Sequence, residues 1–363
     1  MGGPSTDMYE LDIVSSTENY KVSIGVELGT LLNEFDAVVA DKFFEGKISL
    51  DLPVRWVESR ESNKNLTEVE AICAFFQSAG LNRNSRILAI GGGIIQDLTT
   101  LAASIYMRGI KWSYLPTTLT GMMDSCLGGK SSINVGKTKN LVGNIYPPNH
   151  IYIDTNFVHS LDRQSLTSGL AEGVKIVFAR GPEVFYEFLD NEASSNPNNT
   201  SALEDLIYLS LISKKWFIEV DEFDRAERQL LNFGHSFGHA FEAACNFSIQ
   251  HGLGVAIGVL AAINHPEAVQ STNTSHLKTY CEDLVSHHYQ NVKRASELTN
   301  WSIFTENLRS DKKNTSDSLV LILPSDVEPL NKVHLPFSEQ NLEIATSTMK
   351  STLTQLLKQG QLK

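Results

Sequence analysis

The stretch that most constrains the fold is Arg86-Ile87-Leu88-Ala89-Ile90, a short apolar run that ends in Gly91-Gly92-Gly93 and gives way to a helical run over residues 98–106. A run this short with no polar alternation reads as a strand covered on both faces, as in a parallel sheet. Residues 20–24, 37–40 and 54–57 read as further strands upstream, and residues 66–79 carry helix periodicity through Leu66, Val69, Ile72, Cys73 and Phe76. Downstream, residues 112–116 and 151–154 supply two more strands. Strands alternating with helices predict an α/β domain over residues 1–158. From Ser168 onward the pattern changes to helices, expected at 183–192, 202–220, 228–245, 252–262, 275–286, 292–306 and 341–358. One late strand at 319–323 precedes an irregular excursion over 324–336, so residues 159–363 read as a mainly helical second domain.

Two segments of the first domain suit anions. Glycines between a strand and a helix let the backbone approach a phosphate, and the helix start adds free N–H groups and the positive end of its dipole. The triplet at 91–93 departs from Gly-x-Gly-x-x-Gly, so a tight structural turn is the competing reading. Further on, Gly128-Gly129-Lys130, Gly136-Lys137 and Lys139-Asn140 crowd glycines, lysines and an amide into an anion cradle, against which stands a solvated loop with surface lysines.

The second domain carries a polar stripe. If residues 228–239 are helical, Arg228, Asn232, His235 and His239 fall at offsets 0, 4, 7 and 11 on one face, which is costly to bury unless it lines a ligand-bearing cavity. Histidines four apart can share a metal. His251 beside a glycine, Glu172 in Gly-Leu-Ala-Glu and Lys175 three residues later add a further imidazole, a carboxylate and a cation. That set suits a catalytic ion with an open position, or alternatively a polar core network.

Composition narrows the partners. The net charge is −12 with no Lys/Arg patch, which argues against nucleic acid or an anionic membrane surface. No apolar segment reaches the roughly 18 residues of a membrane span, and the polar start lacks a signal-like apolar stretch, so a cytoplasmic protein is expected. Four scattered cysteines fit reduced thiols.

Taken in order, GGGIIQDL, YMRG, PTT, DSCLGGK, GKTKN, GLAEGVK, DEFDRAERQLLNFGHSFGHAFEA and HGLGVAIG resemble the motifs of the 3-dehydroquinate synthase and sugar-phosphate cyclase family over about residues 20–325. The resemblance implies an α/β N-terminal NAD-binding, Rossmann-like domain followed by a mainly α-helical C-terminal domain. It further implies a homodimeric, NAD- and zinc-dependent cyclase, with cobalt as a possible substitute, that closes a phosphorylated keto sugar into a carbocycle with loss of phosphate. By position, Glu172, His235 and His251 would hold the metal. Lys130, Asn140, Lys175, His239 and one of Lys312 or Lys313 would surround the phosphate, with Arg108 arriving from the partner subunit. Asp124 would bind substrate hydroxyls, and Lys214 and Arg228 a substrate carboxylate. For the cofactor the resemblance implies Asp41, Glu61, Lys64, Gly92, Gly93, Asp97, Thr117, Thr118 and Lys139.

The chain departs from the pattern in places. Between Asp41 and Glu61 there is no room for the helix that relatives carry, Gln96 stands where the family has glycine, and DSCLGGKSSIN replaces a more usual DSSVGGKTGVN. The intact pair Lys214 and Arg228 favours 3-deoxy-arabino-heptulosonate 7-phosphate as substrate. The alternatives are a sister cyclase on an uncharged-end sugar phosphate, of the 2-epi-5-epi-valiolone or 2-deoxy-scyllo-inosose type, an NAD- and metal-dependent polyol dehydrogenase, and a binding protein without activity.

Overall fold

A computed structural model of the chain describes residues 9–136 and 138–360; Lys137 of the expected anion cradle lies outside them. The chain divides into two compact units, one running to Leu161 and including Glu192–Glu222, the other made of Asp162–Asn191 and the chain from Phe223 on.

Among the described residues the first unit is built on nine strands, β1 (Tyr9–Ile13), β2 (Tyr20–Ile24), β3 (Ala37–Asp41), β4 (Val54–Val57), β5 (Arg86–Gly91), β6 (Lys111–Pro116), β7 (Ile133–Val135), β8 (Thr138–Val142) and β9 (His150–Ile153), with helices α1 (Leu66–Ser78) and α2 (Gly93–Ile105). Seven form one sheet in the order β1-β2-β9-β6-β5-β3-β4, parallel except for the β1–β2 pair, and β7 and β8 make a separate hairpin. Residues 87–90 are wholly buried, as their unbroken apolar run requires. From β3 the chain moves outward to β4, then returns to place β5 on the other side of β3 and continues through β6 towards β9. The carboxyl ends of β3 and β5, bearing Asp41 and Gly91-Gly92, therefore flank the reversal at which an open α/β sheet leaves a crevice for a ligand. Only the short turn Lys42–Phe44 interrupts the connection from β3 to β4, in keeping with the missing helix.

The remaining helices are α3 (Arg163–Arg180), α4 (Pro182–Asp190), α5 (Thr200–Val220), α6 (His235–Ala244), α7 (His251–Asn264), α8 (Thr272–Ser286), α9 (Tyr289–Leu298), α10 (Trp301–Arg309) and α11 (Glu339–Gly360), with the hairpin β10 (Ser318–Pro324) and β11 (Leu330–Pro336). Of these, α5 belongs to the first unit, packed on β1 and on the turn Gly121–Ser125, so the division differs from a single cut after residue 158. In the second unit α7 is buried from Gly252 to Ile263 and touches α3, α6, α8, α11 and β10, the setting its all-round apolar sequence demands.

Three local expectations are corrected. The 228–245 helix is two pieces, a 3-10 turn Glu227–Asn232 and α6, because Phe233 turns extended and Gly234 adopts φ +77°. The 292–306 helix splits at Thr299-Asn300, where the Asn300 side chain accepts from Ser302 and Ile303 N and starts α10. The excursion over 324–336 contains a strand, β11, paired antiparallel with β10.

Glycines set how closely α6 and α7 pack. A Cβ on Gly258 would lie 2.1 Å from the Gly234 carbonyl oxygen, and one on Gly238 would lie 2.9 Å from the Gly254 carbonyl oxygen. The backbones touch, so no side chain fits between them. Gly258→Ala is expected to destabilise by about 3 kcal/mol, the upper end of overpacking costs. The check is the urea midpoint; an unchanged midpoint would mean that the two helices can move apart freely.

Candidate active site

The close packing in the second unit delivers three helix positions to one point. His235 opens α6, His251 opens α7 and Glu172 lies mid-way along α3, whose backbone meets α7 where a Cβ on Gly252 would sit 2.3 Å from Ser168 Cα. Glu172 Oε1 is 3.3 Å from His251 Nε2 and 3.7 Å from His235 Nε2. His235, His239 and His251 each present a nitrogen within 4.8 Å of the others. Donors placed about 2.0–2.2 Å from a tetrahedral ion lie roughly 3.4 Å from one another, so one carboxylate and two imidazoles here fit a divalent metal. The full stripe expected from 228 to 239 is not formed across the break at Gly234. Asn232 spends its amide on the Gln229 carbonyl, and Arg228 lies buried in the preceding turn.

Electrostatics follow from burial. Glu172 is 1% exposed; burial raises its carboxyl, but Lys175, His235 and His251 outweigh this and hold it well below the usual carboxylate range. Lys175 Nζ lies 2.6 Å from Glu172 Oε2, a close ion pair without hydrogen-bond alignment. His235 is pushed well down by burial and then by Lys175. His239 is lowered by burial and then by His251, with Lys313 adding to the effect. Burial also depresses His251, yet hydrogen bonds to Glu172 and Glu242 prevail and lift it to about 10. Glu242 was missed by sequence reasoning. It stands on α6 seven residues after His235, and its Oε1 is 3.0 Å from His251 Nδ1, the carboxylate–imidazole pairing that fixes a metal-ligating ring. Of the two lysines left open, Lys312 is exposed, whereas Lys313 is half-buried, paired with Asp311 at 2.8 Å and coupled to His239.

In the first unit four of the expected cofactor and phosphate residues, Glu61, Lys64, Asp97 and Asn140, join one network. Lys64 Nζ lies 2.5 Å from Asp97 Oδ2 and donates to Asn140 Oδ1 at 2.8 Å. Ser132 donates through its N to Asp97 and through its hydroxyl to Asn140, and Asn134 ties the same hairpin to Glu61. Burial raises the Asp97 carboxyl, with Lys64 opposing. Gly92 faces Thr118, where a Cβ would come within 3.0 Å of its methyl, and Thr117 N donates to the Gly91 carbonyl. Asp41 caps the turn after β3 by accepting from Phe43 N. Lys130 and Lys139 are exposed, and Gly93 has open space at its Cα. Arg108 is exposed, and it and Met107 both adopt positive φ, 68° and 49°, a backbone strained for side-chain-bearing residues. Asp124 sits in a π-helical turn, Gly121–Ser125, with Oδ1 2.6 Å from Lys214 Nζ. Lys214, expected to meet a substrate carboxylate, is thus already paired with a carboxylate of its own chain.

Residues 54–168 match the family 3-dehydroquinate synthase N-terminal, and residues 169–314 match 3-dehydroquinate synthase C-terminal. The chain belongs to the 3-dehydroquinate synthase family. It is an enzyme of that family, a cyclase lyase. It is 33% identical over 336 residues to 3-dehydroquinate synthase of Dictyoglomus thermophilum, covering 88% of this chain and 93% of the relative, and 32% identical over 312 residues to that of Clostridium tetani, covering 86% and 83%. Its fold is that of 2-deoxy-scyllo-inosose synthase complexed with carbaglucose-6-phosphate, NAD+ and Co2+ (TM-score 0.76, 20% identity, covering 94% and 99%). It is likewise that of 2-epi-5-epi-valiolone synthase from Streptomyces hygroscopicus with NAD+ and Zn2+ bound (0.73, 20%, 96% and 98%). A probable glycerol dehydrogenase from Sinorhizobium meliloti shares the architecture more distantly (0.62, 12%, 91% and 94%). Among the described residues no helix is long and apolar enough to cross a membrane.

If this cluster takes up a metal, binding should release protons. With His251 lifted to about 10, the ring is protonated at pH 8, and a ligand must be neutral, so zinc binding is expected to expel about one proton per ion and to strengthen as pH rises. Calorimetric titration in buffers of different ionisation enthalpy measures this directly; zinc binding without proton release would contradict the assignment of His251.

Proposed function

We propose that this family member is an NAD- and zinc-dependent 3-dehydroquinate synthase acting on 3-deoxy-arabino-heptulosonate 7-phosphate, homodimeric and cytoplasmic. The observation that carries the reading is the donor set of Glu172, His235 and His251, in a chain one third identical to curated 3-dehydroquinate synthases. In this reading those three residues hold zinc or cobalt. Gly92, Gly93, Asp97, Thr117 and Thr118, with Asp41, Glu61, Lys64 and Lys139, hold the dinucleotide. When bound, a metal there would supply Lewis acidity toward a ring hydroxyl and a nicotinamide would supply reversible hydride acceptance, chemistry that would acidify the neighbouring C–H for loss of phosphate.

The chain's own residues do the rest. Lys130 and Asn140 in the first unit, Lys175 and Lys313 in the second, and Arg108 of the partner subunit are each suited to meet phosphate as point charges or amide donors. Burial and then His251 favour the neutral form of His239, which suits it to accept a proton from a substrate hydroxyl. Asp124 orients hydroxyls, and Arg228 offers a planar fork to a carboxylate. Holding the opened sugar in one geometry favours intramolecular closure.

One observation favours the sister-cyclase reading: the Lys214–Asp124 pair leaves Arg228 to meet a substrate carboxylate without that second cation. The test is a ratio. If the substrate carries a carboxylate, Arg228→Ala is expected to cost about 2–4 kcal/mol in transition-state binding, roughly 30- to 1000-fold in kcat/KM for 3-deoxy-arabino-heptulosonate 7-phosphate. Turnover of sedoheptulose 7-phosphate should hardly change. A wild-type preference for the neutral sugar, untouched by the mutation, would overturn the choice of substrate. Phosphate should also appear without NADH accumulating; stoichiometric NADH would instead indicate a dehydrogenase.

A further inference from the structure

The turn that carries Asp124 is π-helical, a rare geometry that leaves carbonyls without their regular helical partners. Three consecutive carbonyls of this turn each accept from a side chain. Ser210 Oγ donates to Met123 O at 2.8 Å and Lys214 Nζ to Asp124 O at 2.5 Å, both from α5. Gln96 Nε2, from the first turns of α2, donates to Ser125 O at 2.7 Å, and Ser125 Oγ returns a hydrogen bond to Gln96 Oε1 at 3.1 Å. Gln96 is 3% exposed, so this reciprocal pair is dry, and one residue further along α2 stands Asp97, tied to Lys64. A glycine at position 96 would leave the Ser125 carbonyl and hydroxyl without these bonds, and with them the α2 side of the turn unsecured.

We propose that Gln96 is a positioning residue for Asp124: its amide fixes the π-helical turn from the α2 side, as Ser210 and Lys214 do from the α5 side, and so sets how Asp124 meets the substrate. This rests on the functional reading above, in which Asp124 binds substrate hydroxyls. The mechanism is mechanical. Without the amide the turn keeps two of its three capped carbonyls and can relax towards an ordinary α-turn, which would rotate the Asp124 carboxylate.

Gln96→Met tests it, since methionine fills the same space and cannot form the pair. Hydrogen exchange of the Gly121–Ser125 amides should quicken roughly five- to tenfold, the effect of losing one net hydrogen bond, while exchange in α1 stays unchanged. In the same protein kcat should fall roughly 10- to 100-fold with little change in the dissociation constant of free NAD+. In an Asp124→Asn background, Gln96→Met should cost nothing further. Unchanged exchange in the turn, or losses that multiply in the double variant, would overturn the proposal. Should the wild-type protein release no phosphate from any sugar phosphate, the functional reading fails, and the exchange rates still decide whether Gln96 holds the turn.

Discussion

A carboxylate that is 1% exposed is the constraint on which the second unit depends. An isolated charge so deeply buried would shed it by protonating, unless cations and donors surround it. Glu172 keeps its charge because Lys175 is one turn away on α3 while His235 and His251 come from the starts of two other helices. Those starts converge only because α6 and α7 touch backbone to backbone at Gly234, Gly238, Gly254 and Gly258. Packing and electrostatics are thus one arrangement. Glu242 extends it outward, holding the far nitrogen of His251 and so fixing which nitrogen faces Glu172.

The first unit obeys the same rule with hydrogen bonds in place of a charge cluster. Its crevice lies where the strand order reverses between β3 and β5, and its polar groups there are already paired: Lys64 with Asp97 and Asn140, Asp124 with Lys214, Gln96 with Ser125. Such pairing keeps ligand-facing side chains in fixed rotamers before any ligand arrives. It also means that Lys214 and Asn140 must share their bonds with whatever binds, which weakens an argument for substrate choice built on counting cations.

Legibility in the sequence followed the physics of each signal. The strand at residues 86–91 and the helix after it were readable because an unbroken apolar run ending in glycine has few other solutions. The helix at α7 was equally plain. The break at Gly234 was not, because its cause is the contact with Val259 and Gly258 on another helix, a tertiary fact that periodicity does not encode. For the same reason the hairpin β7–β8 stayed hidden: its residues are largely exposed and held by Lys64 and Glu61, far away in sequence. The placing of α5 with the sheet rests on tertiary contacts with no signature along the chain, among them its packing on β1 and the bonds of Ser210 and Lys214 to carbonyls of the Asp124 turn. Among candidate residues, the metal donors were nameable from motif order, whereas Glu242 and the preference for Lys313 over Lys312 needed distances.

In the proposed reading Glu172, His235 and His251 hold one divalent ion while His239 stays off it. The most direct measurement is a crystal structure of zinc-loaded protein with anomalous differences collected on both sides of the zinc absorption edge. A single anomalous peak is expected within bonding distance, about 2.0–2.2 Å, of a Glu172 oxygen and of one nitrogen each from His235 and His251, with His239 beyond it. A peak bonded to His239 in place of Glu172, or zinc found elsewhere on the chain, would contradict it.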